Sequence, residues 1–295
     1  MNDESLPTRC CSPARSGEAS SIVPPTLPDH GSNVAGLVRI AGGEVIHGTS
    51  SARAVPGDGE GPPRRIQLSA FHISPTVVTV SEFDEFIAAT GHVTTAEVEG
   101  WSFVMHAHVP VDAHVRGHAS GTPWWLGVDG SSWNAPYGPG SYAEPDHPVV
   151  HVSVKDALAY CAWRRVRLPT EVEWEHAARG GTAGHDFPWG DDESDIWLRA
   201  NVWRGDFPAS DLGVTNGTCR ADAFEPNGFG LHNMVGNVWE WTSSSWGTGT
   251  VEVVARGGSY LCHASYCRRY RVTARSRQFA DSSAGNLGFR VAARA

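Results

Sequence analysis

The chain has 295 residues, including 33 Gly, 19 Pro and 12 Trp, with 19% charged residues and a formal net charge of −9 at pH 7. That length supports a substantial core, and the acidic balance argues against a general binder of nucleic acid or anionic membranes. No apolar run reaches the roughly 18 residues of a membrane span, and the Gly, Pro and Trp content predicts a loop-rich but well-packed fold.

Residues 1–35 mix Ser, Pro, Thr and Gly without apolar periodicity and read as a flexible tail. Asp3, Glu4 and the lack of an apolar h-region in the first thirty residues predict a soluble, cytoplasmic protein whose six cysteines stay reduced. From Leu37 the pattern changes. Val38 and Ile40, then Gly42-Gly43, then Val45 and Ile46 predict two short strands around a tight turn. A Gly/Pro loop over 56–63 leads to another strand pair at 66–68 and 71–73. Thr79 with Glu82 forms a capping box, Val80, Phe83 and Ile87 continue the helix, and Gly91 stops it. Ser153 with Asp156 opens a second helix through Ala157, Tyr160 and Cys161. Thr170 with Glu173 opens a third, with Trp174 and Ala177, that ends at Gly180-Gly181. Beyond 181 the sequence reads as loops punctuated by tryptophans. With no repeat, no βαβ alternation and no linker, the prediction is one compact α+β domain over 36–294 with little regular structure.

Two segments carry metal-binding chemistry and a third competes. In Arg256-Gly-Gly-Ser-Tyr-Leu-Cys262-His-Ala-Ser-Tyr-Cys267, two thiols five residues apart can meet on one turn. Two soft thiolates without an evident third partner suit Cu(I), whereas zinc normally takes four ligands. Eight Arg and one acid, Asp281, over 256–294 favour thiolate there. The plain alternative is a disulfide or two buried thiols, with the arginines paired to acids elsewhere. Asn233-Met-Val-Gly236-Asn-Val238-Trp-Glu240 offers an amide, two carbonyls and a carboxylate that would cage calcium, or a turn whose polar groups satisfy the backbone. His106, His108, His114 and His118 offer imidazoles for zinc or iron, but without helical spacing they read better as a polar loop. Lys155, the only lysine, sits in a helical pattern and is a poor Schiff-base candidate.

Taken together these segments resemble the formylglycine-generating, sulfatase-modifying factor family, whose domain is related to C-type lectins. The resemblance runs through Ala41-Gly-Gly-Glu, His147-Pro-Val-Val-His-Val, Arg167-Leu-Pro-Thr-Glu, Pro226-Asn-Gly-Phe-Gly, Gly236-Asn-Val-Trp-Glu-Trp, Gly257-Gly-Ser-Tyr-Leu-Cys-His and Asp281 to Arg290, over about 36–294. It implies an oxidase that uses O2 to convert the cysteine of a Cys-x-Pro-x-Arg segment of an unfolded sulfatase into Cα-formylglycine. It implies Cu(I) on Cys262 and Cys267, joined by the client thiolate, with Ser259 and Asn286 lining the active site. It also implies structural Ca2+ on Asn233, Gly236, Val238 and Glu240, and a second calcium site beginning at Asn201 and Val202 with Asp211 as its carboxylate. The cysteine bridge of animal relatives falls on Cys161 and Val272, so no such bridge forms here. A non-catalytic binding module on the same fold and a His-ligated metal enzyme are the other readings. Finally, Cys11-Ser-Pro-Ala-Arg15 itself fits Cys-x-Pro-x-Arg. It reads either as an incidental match or as a tethered occupant of the active site in cis.

Overall fold

A computed structural model describes Pro13, Arg15 and residues 32–209, 217–247 and 250–295. The first half comprises β1 (Val38–Ile40), β2 (Gly43–His47), β3 (Arg64–Leu68), β4 (Phe71–Ile73), α1 (Val80–Thr90), α2 (Thr95–Glu99), β5 (Trp101–Met105), β6 (Val115–Ala119) and β7 (Thr122–Asp129). The second half comprises α3 (Val154–Arg164), α4 (Glu171–Ala178), β8 (Trp239–Ser245), β9 (Glu252–Arg256), β10 (Arg275–Phe279), β11 (Leu287–Phe289) and β12 (Ala292–Arg294). The α+β expectation holds. No helix among the described residues is long and apolar enough to cross a membrane.

The three predicted helices form as their caps dictate, each with a reciprocal Thr/Ser and Glu/Asp box at its start. Gly91, at φ 66°, ends α1, while α4 stops one residue before the predicted glycines, at Arg179. The predicted strands form too, but their pairing is nested. β2 pairs with β3 and β1 with β4, all antiparallel, because Gly42 lies against the backbone at 68–70 and the 56–63 loop carries the reversal. β12 then adds to β4, which brings the C-terminal end back onto the start of the domain.

The second half is not loops alone. β10, β9, β8 and β11 form a four-stranded sheet in that order, with β11 parallel to β8 and the other pairs antiparallel. A separate sheet, β5-β7-β6, stands over the segment 283–286 through a bridge between Phe103 and Ala284. An aromatic core packs α1 and α3 against β11. Phe83 packs at 5.3–6.4 Å from the rings of Phe86, Trp133, Tyr160 and Phe289, a spacing at which edge and offset contacts add to apolar burial. Cys161 lies inside this core, and burial pushes its thiol far above the ordinary range, so it packs as a small apolar residue.

Candidate active site

β9 ends at Arg256 and hands the chain to Gly257-Gly258. Gly258 has φ 76°, and a Cβ there would stand 2.7 Å from the Arg269 carbonyl oxygen. A residue without a side chain therefore lets the two arms of the loop approach. At the tip, the amides of Tyr266 and Cys267 donate to the His263 carbonyl at 3.1 and 2.9 Å. That single helical turn brings the sulfurs of Cys262 and Cys267 to 3.9 Å, both side chains being almost fully buried. The separation is about twice an S–S bond, so the pair is not bridged to itself. Cys161 and Cys219 are free thiols, whereas Cys267 is in a disulfide. The expectation of six reduced thiols therefore fails at Cys267. A compartment argument averages over thiols and is blind to one held against a second sulfur.

Ser259 and Asn286 meet at this loop, both fully buried. The Ser259 amide points at Cys262 Sγ from 3.4 Å, and Asn286 Nδ2 donates to Ser259 Oγ at 3.0 Å. The arginine-rich stretch acts differently from the sequence expectation. Arg256 pairs with Glu175, Arg268 with Glu193, Arg271 with Glu60, Arg275 with Glu171 and Arg290 with Glu240. Arg269 reaches a sulfur, with Nη1 3.8 Å from Cys267 Sγ, and it also pairs with Asp58. The positive charge is thus neutralised locally, and Arg269 is what remains of the predicted field.

Aromatic rings wall the thiols. Tyr266 stacks on Phe207 at 4.8 Å, and Trp124 meets both rings edge-on at 4.8 and 5.3 Å. Cys262 also lines a cavity of about 490 Å³ together with Glu193, Trp197, Trp203, His263 and Tyr270. Sequence reasoning missed these walls. The Trp124-Trp125 pair was the available signal, but Phe207 and Tyr266 arrive from distant segments. It also missed what holds Arg15, which is 7% exposed with its guanidinium carbon 4.2 Å from the Trp101 ring centre. Arg15 Nη2 donates to the Trp101 carbonyl at 2.5 Å and to Ser283 Oγ at 2.8 Å. From Ser283 a buried chain of hydrogen bonds continues to Ser102 and on to His151 Nδ1, each step 2.8 Å.

The calcium assignments fare unevenly. Asn233 Oδ1 is buried without a hydrogen-bond partner, as an acceptor awaiting a cation would be. Glu240 does not fit the role of its carboxylate partner. Its Oε2 accepts from Trp174 Nε1 and Arg290 Nε, both at 2.6 Å, and its Oε1 from Arg290 Nη2 at 2.8 Å. A guanidinium already neutralises it. Gly236 and Val238 flank the turn, and the Asn237 amide donates to the Asn201 carbonyl. Asn201 Nδ2 donates to the Gly217 carbonyl and Val202 is buried, while Asp211, Cys10 and Cys11 lie outside the described residues. The four histidines do not converge. His106 contacts the Pro208 carbonyl, His108 packs on Tyr137 and Tyr260, His114 pairs with Asp129, and His118 meets the Ala119 carbonyl. Among the described residues no three His, Cys, Asp or Glu side chains gather in a metal-holding cluster.

Residues 24–295 match the family profile described as the sulfatase-modifying factor enzyme 1-like domain. The chain is 47% identical over 283 residues to the formylglycine-generating enzyme of Thermomonospora curvata, covering 88% of this chain and 93% of that one. It is 48% identical to the formylglycine-generating enzyme of Streptomyces coelicolor, covering 87% and 88%. Among solved structures, PvdO from Pseudomonas aeruginosa superposes with a TM-score of 0.66 at 25% identity, over 88% of this chain and 94% of that one.

Proposed function

The chain belongs to the sulfatase-modifying factor, formylglycine-generating family, and we propose on that premise that it matures sulfatases by oxidising a client cysteine to Cα-formylglycine. The client is an unfolded or nascent sulfatase segment of the form Cys-x-Pro-x-Arg, and the oxidant is O2. The observation that carries the reading is the pair of buried sulfurs 3.9 Å apart, with an open cavity beside Cys262.

Cys262 and Cys267 would hold Cu(I), which their soft donors suit once Cys267 is reduced. Bound there, Cu(I) supplies the one-electron chemistry that triplet O2 needs. The residues do the rest. The Ser259 amide, 3.4 Å from Cys262 Sγ, favours its anion. Arg269 does the same for Cys267 from 3.8 Å. Asn286 fixes Ser259 Oγ, leaving its hydroxyl hydrogen to point at an incoming group. Trp124, Phe207 and Tyr266 pack around the two sulfurs and would keep water from them. The net reaction balances: the client CH2–SH and O2, with two electrons and two protons from two molecules of an added thiol that leave as their disulfide, give aldehyde, hydrogen sulfide and water. Any calcium would bind through Asn233 and backbone carbonyls rather than through Glu240.

The test is a synthetic Cys-x-Pro-x-Arg peptide incubated with protein, Cu(I), O2 and reductant, and the product read by mass spectrometry. Aldehyde formation is expected from wild type and from the buried-thiol control Cys161→Ser, and none above background from Cys262→Ser or Cys267→Ser. An unconverted peptide with copper-loaded wild type, or full turnover by either active-site variant, refutes the proposal.

A further inference from the structure

A residue with a side chain adopts left-handed backbone only against steric resistance, and it stays there when its neighbours over-determine it. His151 is such a residue, with φ 59° and a fully buried side chain just before α3. None of the chemistry proposed above involves it. Yet its backbone and its ring both grip one turn. The His151 amide donates to the Ala284 carbonyl at 3.0 Å, and the Leu287 amide closes the turn on the same carbonyl at 3.2 Å. His151 Nδ1 shares a hydrogen bond with Ser102 Oγ, and Ser102 Oγ shares another with Ser283 Oγ, each at 2.8 Å. The ring also lies against Gly285, where a Cβ would stand 3.3 Å from Nε2.

That turn carries Asn286. The Trp239 amide donates to the Asn286 carbonyl at 2.8 Å, and Tyr260 Oη donates to the Gly285 carbonyl at 3.3 Å. Asn286 Nδ2 in turn donates to Ser259 Oγ, and the Ser259 amide meets Cys262 Sγ. Hydrogen bonds weaken steeply as they lengthen or bend, so the contact between Asn286 and Ser259 survives only while the turn keeps its place. A misplacement of about 1 Å at a reacting centre costs on the order of a hundredfold in rate, even when its cause lies elsewhere.

We propose that His151 is a positioning residue for the active site: its left-handed backbone and its ring hold the turn 283–287 so that Asn286 keeps Ser259 in register with Cys262. The effect on turnover rests on the function proposed above, whereas the effect on the turn rests on geometry alone. A histidine that merely filled space would affect activity only through the folded fraction. Three substitutions separate the grips. His151→Ala removes the ring and leaves a residue that resists the left-handed backbone. His151→Asn tolerates that backbone and carries its amide on Cγ, as Nδ1 is carried, so the link to Ser102 is kept. Ser102→Ala cuts the link from ring to Ser283 and leaves position 151 untouched.

Each variant is assayed with the Cys-x-Pro-x-Arg peptide at a temperature where circular dichroism shows it folded. His151→Ala should lower kcat about a hundredfold with KM within about twofold of wild type, and Ser102→Ala should lower kcat about tenfold. His151→Asn should recover kcat to within about fivefold of wild type. Leu168→Ala, a truncation in the main core that takes part in none of these contacts, should keep the wild-type kcat. Amide deuterium exchange read by mass spectrometry should quicken about tenfold at 259–262 and 284–287 in His151→Ala and Ser102→Ala, and not in Leu168→Ala. Wild-type kcat in folded His151→Ala, an equal loss in Leu168→Ala, or exchange that quickens only around position 151 overturns the proposal. If His151→Ala does not fold, Ser102→Ala decides by the same criteria. A wild-type chain that converts no peptide sinks the proposed function, and the exchange result then decides this inference alone.

Discussion

Glu240 illustrates how a residue that matches a metal-ligand pattern can serve the fold instead. Its carboxylate is fully buried between Arg290 and Trp174 and ties β8 to the turn after β11. Removing one member of a buried ion pair strands the other, at a cost of about 3–5 kcal/mol. Glu240→Gln should therefore lower the urea-unfolding free energy by that amount, equally with calcium and with a chelator. A loss that appears only when calcium is present would return Glu240 to the metal. His151 makes a second prediction at this scale. Burial is the main cause that holds its pKa down to about 3, against an ordinary value of 6.5, and its ring stays neutral against Ser102. Between those values the unfolded chain binds a proton that the folded chain does not, so stability is fully present above pH 6.5 and is lost as pH falls toward 3. The slope approaches about 1.4 kcal/mol per pH unit. His151→Asn keeps a residue tolerant of the φ of 59° and removes the titration, so its unfolding free energy should fall about 2 kcal/mol less than wild type between pH 6.5 and 5. Parallel pH slopes would show that the proton goes elsewhere.

At the scale of elements, what the sequence disclosed was local chemistry. Capping boxes at Thr79, Ser153 and Thr170 located three helices because the signal lies within four residues. The same box at Thr94 and Glu97 starts α2, which escaped notice because the helix is only five residues long and has no apolar stripe to follow. β8 was missed for a different reason. Trp239, Glu240, Trp241 and Thr242 are all buried, so the strand has no alternation of period two to read. The paired cysteines were legible because they share one turn, whereas the Arg15 pocket is assembled from Trp101 and Ser283, 86 and 268 residues away in sequence. The turn that carries those cysteines also yields a prediction. Gly258→Ala adds a Cβ 2.7 Å from a backbone oxygen and 2.8 Å from the Tyr270 Cα in a left-handed backbone. The two arms must separate, at a cost of order 1–3 kcal/mol in backbone strain. Client turnover should fall at least tenfold while circular dichroism at 25 °C stays that of wild type. Unchanged turnover would show that the thiol spacing does not depend on this crossing.

Across the whole molecule, the site is held by a loop that sequence reading treated as a mere connection. Residues 56–63 reverse the chain between β2 and β3, yet they carry Asp58 and Glu60 into the interior beneath the cysteine loop. Arg271 and Glu60 are both fully desolvated and bind through two hydrogen bonds of 2.7 Å, with Thr273 adding a third at 2.9 Å. Burial alone would raise the Glu60 pKa, but the bonds from Arg271 outweigh it and leave the group below its ordinary value, so it is held as an anion. Asp58 meanwhile holds Arg269, the guanidinium that touches Cys267. The partners lie 211 residues apart, so this clamp forms only when the two halves of the domain have come together. Glu60→Gln keeps the shape and removes the charge, leaving Arg271 buried against a neutral amide, and should cost about 3–5 kcal/mol. In a chain of this size that lowers the melting temperature by about 6–20 °C. Adding Arg271→Met removes the stranded cation, so the double variant should be more stable than Glu60→Gln alone, with a coupling energy of at least about 1 kcal/mol across the cycle. Simple additivity of the two losses would mean that the pair is not what joins the loop to the cysteine turn, and that packing around Gly59 and Arg275 does so instead.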